Sequence, residues 1–140
     1  MQEYISNSDT ETKKIAAKLA REGQGKIFAL SVQLGAGKTI FAQGFAKGLG
    51  IKEKIISPTF VLIRQHQIPN TTKTLYHIDL YRLENLTDIN QLGLKEIFSN
   101  PNNIILIEWA DKLTKLPEKT IRISIQKEDS NKRCITIYDA

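Results

Sequence analysis

Residues 34–39 read Leu-Gly-Ala-Gly-Lys-Thr and follow the apolar run at residues 27–30. This is the core of a P-loop, in which glycines let successive backbone N–H groups face one anion. The ammonium of Lys38 can contact the outer phosphates of a nucleotide, and the Thr39 hydroxyl can bind Mg²⁺. Helix-forming residues follow at once, so the segment predicts a phosphate site at the positive end of a helix.

One position departs from the complete motif, which has a glycine where this chain has Val32. A β-branched residue disfavours positive φ, so we expect the loop entrance to differ from the usual one or to be less strained. The alternative to a phosphate site is a glycine-rich helix entry that binds no ligand.

Two carboxylates are candidates for catalysis. Glu108 follows the apolar run at residues 104–107, where an acid can hold Mg²⁺ or orient water. Asp79 also lies near the end of a predicted strand and is a candidate for orienting the attacking water. The alternative for Glu108 is a solvated carboxylate, and the alternative for Asp79 is a structural ion pair with Arg82. Arg82 is also a weaker candidate for contacting phosphate or a partner.

Further polar and aromatic residues have less specific signals. Residues 57–60, Ser-Pro-Thr-Phe, occupy the place of a γ-phosphate switch but are also typical of a plain turn. Trp109 is either a partly buried packing residue or an aromatic anchor for a partner. His66 and His77 lack the spacing of metal ligands, and the chain has no nucleophile elbow of a Ser-His-Asp hydrolase.

Length and composition predict one domain, spanning residues 1–140, with an apolar fraction of 41% and charged residues at 25%. No apolar run is long enough to span a membrane, and a secretory h-region is absent. The single Cys134 excludes an internal disulfide and a cysteine cluster for zinc. We therefore expect a cytoplasmic protein, and the net charge of +5 indicates an anionic partner such as nucleotide, RNA or an acidic protein surface.

The pattern of apolar residues predicts an α/β fold, with parallel core strands, antiparallel hairpin additions and flanking helices. A capping box at residues 8–11 starts a helix that Gly23 and Gly25 end. The remaining predicted helices cover residues 39–49, closed by Gly50, and residues 88–97, in two pieces around Gly93. The predicted strands cover residues 26–32, 60–66, 73–80, 104–107, 120–125 and 134–138.

Five segments together resemble one family, the TsaE (YjeE) family of P-loop ATPases in bacterial tRNA threonylcarbamoyladenosine biosynthesis. They are residues 34–39, 57–60, 77–83, 92–94 and 107–110. The resemblance spans residues 12–117 and implies a P-loop ATPase fold with ATP and Mg²⁺ as cofactors. It also implies that the protein serves the multi-turnover cycle of TsaD and TsaB, which attach a threonylcarbamoyl group beside the tRNA anticodon. Contact with tRNA would be direct or indirect, and no membrane is involved.

The resemblance also implies roles for individual residues. Thr39 and Glu108 would be Mg²⁺ ligands, and Asp79 would assist hydrolysis. The residues that would contact phosphate or form the switch are Gly35, Ala36, Gly37, Lys38, Ser57, Pro58 and Thr59. Candidates for the base end of the nucleotide are Thr12 and either Lys132 or Arg133. The chain departs from the family at Val32 and Gln33, where Gly-Asp is usual, and at Ile40, where a second Thr is usual.

Three functions remain open from the sequence. The first is an ATPase subunit of the tRNA-modifying complex. The second is a nucleotide-binding scaffold with little turnover, which is indicated by Val32 in place of the first P-loop glycine. The third is a small-molecule kinase, which would need an acceptor pocket and a lid. The sequence has no Arg-rich segment that would form such a lid.

Overall fold

The computed structural model consists of a seven-stranded mixed sheet with helices packed against it. It describes residues 1–22, 27–32, 37–53, 63–81, 93–113, 115–129 and 131–138. The strands are β1 (Gln2–Ser6), β2 (Ile27–Val32), β3 (Ile63–Gln67), β4 (Thr74–Asp79), β5 (Asn103–Glu108), β6 (Ile121–Lys127) and β7 (Arg133–Tyr138). Their order across the sheet is β1-β7-β6-β2-β5-β4-β3. The predicted mixed α/β class is therefore confirmed.

The four central strands, β6, β2, β5 and β4, run parallel to one another. Antiparallel pairs extend the sheet at both sides, through β6–β7 and β7–β1 on one side and β3–β4 on the other. Both predicted hairpins are thus confirmed. Since the parallel strands share one direction, the carboxyl ends of β2, β4 and β5 meet at the same edge of the sheet, which is where open α/β sheets bind ligands.

Three helices lie in the described part of the chain: α1 (Asp9–Glu22), α2 (Lys38–Gly48) and α3 (Leu94–Ser99), besides a 3-10 turn over Ala110–Lys112. The predicted capping box starts α1, because the Ser8 hydroxyl accepts the Glu11 N–H at 3.1 Å. The Glu11 carboxylate in turn accepts the N–H of Asn7 at 2.8 Å. No helix in these ranges has both the length and the apolar character needed to cross a membrane.

Two apolar cores lie on opposite faces of the sheet. On one face, α1 and α2 cover β2 and its neighbours through buried side chains such as Phe28, Phe41 and Phe45. The rings of Phe28 and Phe45 meet edge to face, with centroids 5.0 Å apart. On the other face, Leu94 of α3 and Ala110 pack with buried isoleucines of β4 and β5. The parallel strands are thus buried on both sides, which explains their continuous apolar runs.

Helix α2 lies unusually close to α1, and two glycines make this possible. A Cβ atom at Gly44 would stand 2.5 Å from the backbone of Lys13, and one at Gly48 would stand 2.5 Å from the backbone of Ala17. Real Cβ atoms do not approach other atoms so closely, so only glycine permits this distance. The contact fixes the axis of the helix that starts at Lys38.

Several predicted boundaries need correction. The sequence pattern predicts no strand at residues 2–6, which form the edge strand β1. Strand β3 extends to Gln67, one residue past the predicted end, while its predicted first residues, 60–62, lie outside the described residues. Helix α3 begins after Gly93, which has φ 71°, and ends at Ser99 instead of Ile97. The predicted first helical piece, residues 88–92, and the glycines at 23 and 25 also lie outside the described part.

Candidate functional site

The start of helix α2 carries the residues that the motif predicts to bind phosphate. Gly37 is the N-cap residue with φ 91° and ψ 42°, a left-handed conformation that favours glycine. Lys38 and Thr39 are the first two helical residues, and the first turn of α2 contains no acidic residue. The backbone N–H groups and the partial positive charge at this end are therefore suited to an anion.

The carboxyl ends of β4 and β5 bring Asp79 and Glu108 side by side as partners in the parallel register. Both residues are buried, with exposed fractions of 3% and 2%. The Lys38 ammonium lies 3.8 Å from Oδ2 of Asp79 and 4.0 Å from Oε1 of Glu108. Three residues that the sequence singled out separately thus form one charged cluster at the sheet edge.

The environment of Asp79 bears on its alternative interpretation as the ion-pair partner of Arg82. In the described residues its charged neighbour is Lys38, and its Oδ1 atom accepts the N–H of Tyr81 at 2.9 Å. Arg82 itself lies outside the described residues. The carboxylate is therefore anchored through one oxygen, while the other faces the start of α2.

Glu108 is held differently through its two oxygens. Oε2 lies 2.8 Å from Nε2 of His77, whereas Oε1 is buried and has no hydrogen-bond partner among the described residues. A buried carboxylate oxygen without a hydrogen bond is costly, and it is also the hard ligand that Mg²⁺ prefers. Glu108 therefore fits the predicted role of a metal ligand.

The same part of the chain contains no group of three or more His, Cys, Asp or Glu side chains that would enclose a metal ion. At a nucleotide site Mg²⁺ takes one or two protein ligands and completes its octahedron with phosphates and water, so Glu108 would need at most one further protein ligand. Thr39, the other predicted ligand, stands in the first turn of α2, directly after Lys38.

A second cluster joins the two candidates for the base end of a nucleotide. Nη1 of Arg133 donates to the hydroxyl oxygen of Thr12 at 3.0 Å, and Nη2 donates to Asp9 at 2.7 Å. Thr12 is fully buried, and its hydroxyl also lies 2.7 Å from that of Ser6. The guanidinium is thus held in one position by helix α1.

The guanidinium of Arg133 also covers the start of α2. A Cβ atom at Gly37 would lie 3.2 Å from Cζ of Arg133, so the arginine stands directly beside the P-loop. Lys132, the other candidate, instead pairs with Glu128 at 3.3 Å on the β6–β7 turn and does not belong to this cluster. Of the two predicted alternatives, the structure brings Arg133 to the site.

Val32 stands before the loop in ordinary strand geometry. Val32 is the last residue of β2, pairs with Ile125 of β6 and packs half-buried against the core. It is not among the non-glycine residues with positive φ in the described ranges. Val32 itself is therefore not strained, while residues 33–36, which follow it in the loop, lie outside the described residues.

Aromatic residues follow each of the two carboxylates. Tyr81 is 55% exposed, and its ring lies 4.8 Å from that of Trp109 at an angle of 47°. Trp109 has a φ of 61°, which is unusual for a residue with a side chain, and it packs half-buried against the α3 core. The observed contacts thus agree with the packing interpretation of Trp109.

Some predicted site residues cannot be placed. Gly35 and Ala36 of the loop lie outside the described residues, as do Ser57, Pro58 and Thr59 of the predicted switch. Their proposed roles remain predictions from the sequence.

His77 is a site residue that the sequence motifs do not identify, because its spacing bears only on metal ligation. Alternation along β4 predicts that His77 and Asp79 share one sheet face. The parallel register then places the histidine within reach of Glu108. The alternation was readable from the sequence, but the register was not.

Comparison with known proteins gives a consistent result. The family model described as Threonylcarbamoyl adenosine biosynthesis protein TsaE matches residues 6–135. A tRNA threonylcarbamoyladenosine biosynthesis protein TsaE from Bacillus subtilis is 39% identical over 128 residues, which is 90% of this chain and 78% of the relative. One of the same name from Treponema pallidum is 39% identical over 81% of this chain and 82% of its own length.

A solved structure has the same architecture. The crystal structure of YdiB from Bacillus subtilis superimposes with a TM-score of 0.79 at 33% sequence identity. The match covers 99% of this chain and 84% of the other. Sequence and fold therefore agree on the same group of proteins.

Proposed function

The chain belongs to the TsaE family of threonylcarbamoyl adenosine biosynthesis proteins, and from that premise we propose that it binds and hydrolyses ATP with Mg²⁺ in support of tRNA modification. The observation that carries the proposal is the position of Lys38 within 4.0 Å of both Asp79 and Glu108, at the start of a helix and the end of two parallel strands. Lysine, a metal-binding acid and a second carboxylate are the components that P-loop hydrolysis requires.

The proposed division of labour follows from the charges and their burial. Lys38 binds the outer phosphates, because it stands at the start of α2 and its ammonium lies within 4.0 Å of both carboxylates. Thr39 and Glu108 hold Mg²⁺, which when bound neutralises the charge that develops on the phosphate oxygens. Asp79 orients the attacking water, since its Oδ2 atom does not accept the Tyr81 N–H and instead faces Lys38.

The remaining candidates complete the nucleotide site. Arg133 borders Gly37 on the side of α1 and, together with the Thr12 to which it is bonded, is assigned to the base end of the nucleotide. Gly35 and Ala36 contribute backbone N–H groups to the phosphates, and Ser57 to Thr59 respond to the γ-phosphate. These assignments extend the site over most of an ATP molecule.

The proposed partners are TsaD and TsaB, with tRNA contacted directly or through them, in the cytoplasm. Relatives named for tRNA threonylcarbamoyladenosine biosynthesis support this pathway. Hydrolysis by this chain would reset the complex between turnovers, without itself transferring the threonylcarbamoyl group.

The deciding experiment measures ATP binding by calorimetry and phosphate release, with and without a TsaD–TsaB complex. We expect Mg²⁺-dependent ATP binding by the isolated chain, slow phosphate release and faster release in the complex. Binding without release in either setting would favour a scaffold, and phosphate transfer in a screen of small-molecule acceptors would favour a kinase. Absence of ATP binding would contradict the proposal altogether.

A further inference from the structure

A hydrogen bond joins His77 to Glu108 inside the candidate site, and the proposed hydrolysis gives His77 no role. Both residues are 2% exposed, and Nε2 of His77 lies 2.8 Å from Oε2 of Glu108. A carboxylate that binds a divalent cation only accepts hydrogen bonds, so in this role the imidazole Nε2 is the donor. The bond is buried and joins the middle of β4 to the last residue of β5.

This bond makes the two oxygens of Glu108 different. Oε2 is occupied by His77, whereas Oε1 has no hydrogen-bond partner among the described residues and lies on the side of Lys38. A glutamate side chain has three rotatable bonds, so an unanchored carboxylate would sample several orientations. A single donor on one oxygen restricts that freedom and directs the other oxygen.

We propose that His77 is a positioning residue, which orients Glu108 so that Oε1 is presented to the divalent cation. The inference rests on the proposed function, because it assigns Glu108 to the metal. His77 touches neither nucleotide nor metal in this role and acts only through Glu108. Residues of this kind change metal affinity by about 10- to 100-fold when they are removed.

The chain provides a matched control in His66. This histidine is also buried, lies on the adjacent strand β3 and contacts a carboxylate, since its Nδ1 atom is 3.3 Å from Glu53. Glu53 is largely exposed, and its described ion pair is with His66, whereas Lys38 pairs with Asp79 and Glu108. Replacement of His66 therefore reports what the loss of a buried histidine does to the sheet, without a change at Glu108.

The test titrates a fluorescent ADP analogue at increasing Mg²⁺ and in EDTA, for the wild type, His77→Leu, His77→Gln, His77→Asn and His66→Leu. Binding of Mn²⁺ in the presence of ADP, followed by electron paramagnetic resonance, gives a second readout without turnover. The Gln amide nitrogen can reach the place of Nε2, whereas the Asn side chain is one bond shorter. The Gln and Asn pair thus keeps the comparison informative even if His77→Leu does not fold.

We expect His77→Leu and His77→Asn to need about tenfold more Mg²⁺ or Mn²⁺ for half-maximal binding, with nucleotide affinity in EDTA unchanged. His77→Gln should recover the metal requirement to within about threefold, and His66→Leu should leave it at the wild-type value. Wild-type metal dependence in the Asn and Leu variants, or an equal loss of affinity with and without metal, would overturn the positioning role. A wild type that binds the analogue equally in Mg²⁺ and EDTA would refute the proposed metal site as well, so the two failures are distinguishable.

Discussion

Arg133 and Thr12 stand 121 positions apart in the sequence, yet a hydrogen bond of 3.0 Å joins them beside the P-loop. Strand β1 explains how they meet, since it pairs with β7 and leads directly into α1. Asp9 holds the second nitrogen of the guanidinium, so the arginine keeps a fixed position over Gly37. Helix α1 and strand β7, which lie far apart in the sequence, are thereby joined beside the start of α2.

The first prediction concerns this arginine. Arg133→Ala should weaken ADP and ATP binding by about tenfold, because it removes the guanidinium that borders Gly37 and that we assign to the base end of the nucleotide. Lys132→Ala is the control, since that lysine pairs with Glu128 on the hairpin turn. Calorimetric titration measures the nucleotide affinity of both variants. If Arg133→Ala binds nucleotide as tightly as Lys132→Ala, Arg133 serves only to connect β7 to α1.

The second prediction concerns Lys38. Lys38→Ala should abolish productive ATP binding, because it removes the ammonium between the helix start and the two carboxylates. The fold should survive with a loss of about 1 kcal/mol, since the lysine is 37% exposed and water screens much of its interaction with the acids. Calorimetry and thermal unfolding measure the two effects. Unchanged ATP binding would refute the phosphate site.

The third prediction concerns the metal. Glu108→Gln should reduce Mg²⁺-dependent hydrolysis by about 10²-fold or more while some nucleotide binding remains, because an amide replaces the carboxylate at the cation. Phosphate release over a Mg²⁺ titration measures the effect, with Glu53→Gln as the control for an exposed acid that is bonded to a histidine. If Glu108→Gln turns over like the wild type, the metal role moves to Asp79.

The central elements were readable from the sequence because their signals are local. The apolar run at residues 104–107 has the composition of a strand buried on both faces, and β5 is such a strand. Alternation at residues 120–125 and 134–138 likewise predicted the β6–β7 hairpin. Glycine, lysine and threonine in sequence order were enough to locate the start of α2.

The contacts that complete the site depend on tertiary structure. Strand β1 has a mixed pattern with one fully buried residue, Ser6, and it exists because the edge of β7 offers hydrogen bonds. The bond between His77 and Glu108 follows from the register of β4 on β5, which no local pattern encodes. Gly44 and Gly48 were likewise unremarkable in the sequence until α1 was seen to lie against them.

The last prediction concerns Val32, where the chain departs from the P-loop motif. Two outcomes of Val32→Gly follow from two different geometries. A strained valine would make glycine increase the nucleotide affinity, whereas a valine in ordinary strand conformation would make glycine destabilise the fold without any such gain. The structure favours the second, because Val32 pairs with Ile125 and packs against the core.

We therefore expect Val32→Gly to lower the free energy of unfolding by about 1–3 kcal/mol, through lost packing and greater freedom of the unfolded chain, with nucleotide affinity within about twofold of the wild type. Val32→Ala is the matched control, since it removes most of the packing but keeps the Cβ atom that restricts the backbone. Thermal unfolding and ATP titration of the three proteins separate the contributions. A gain of tenfold in affinity for the glycine variant, absent in the alanine variant, would show that backbone restriction at position 32 limits phosphate binding.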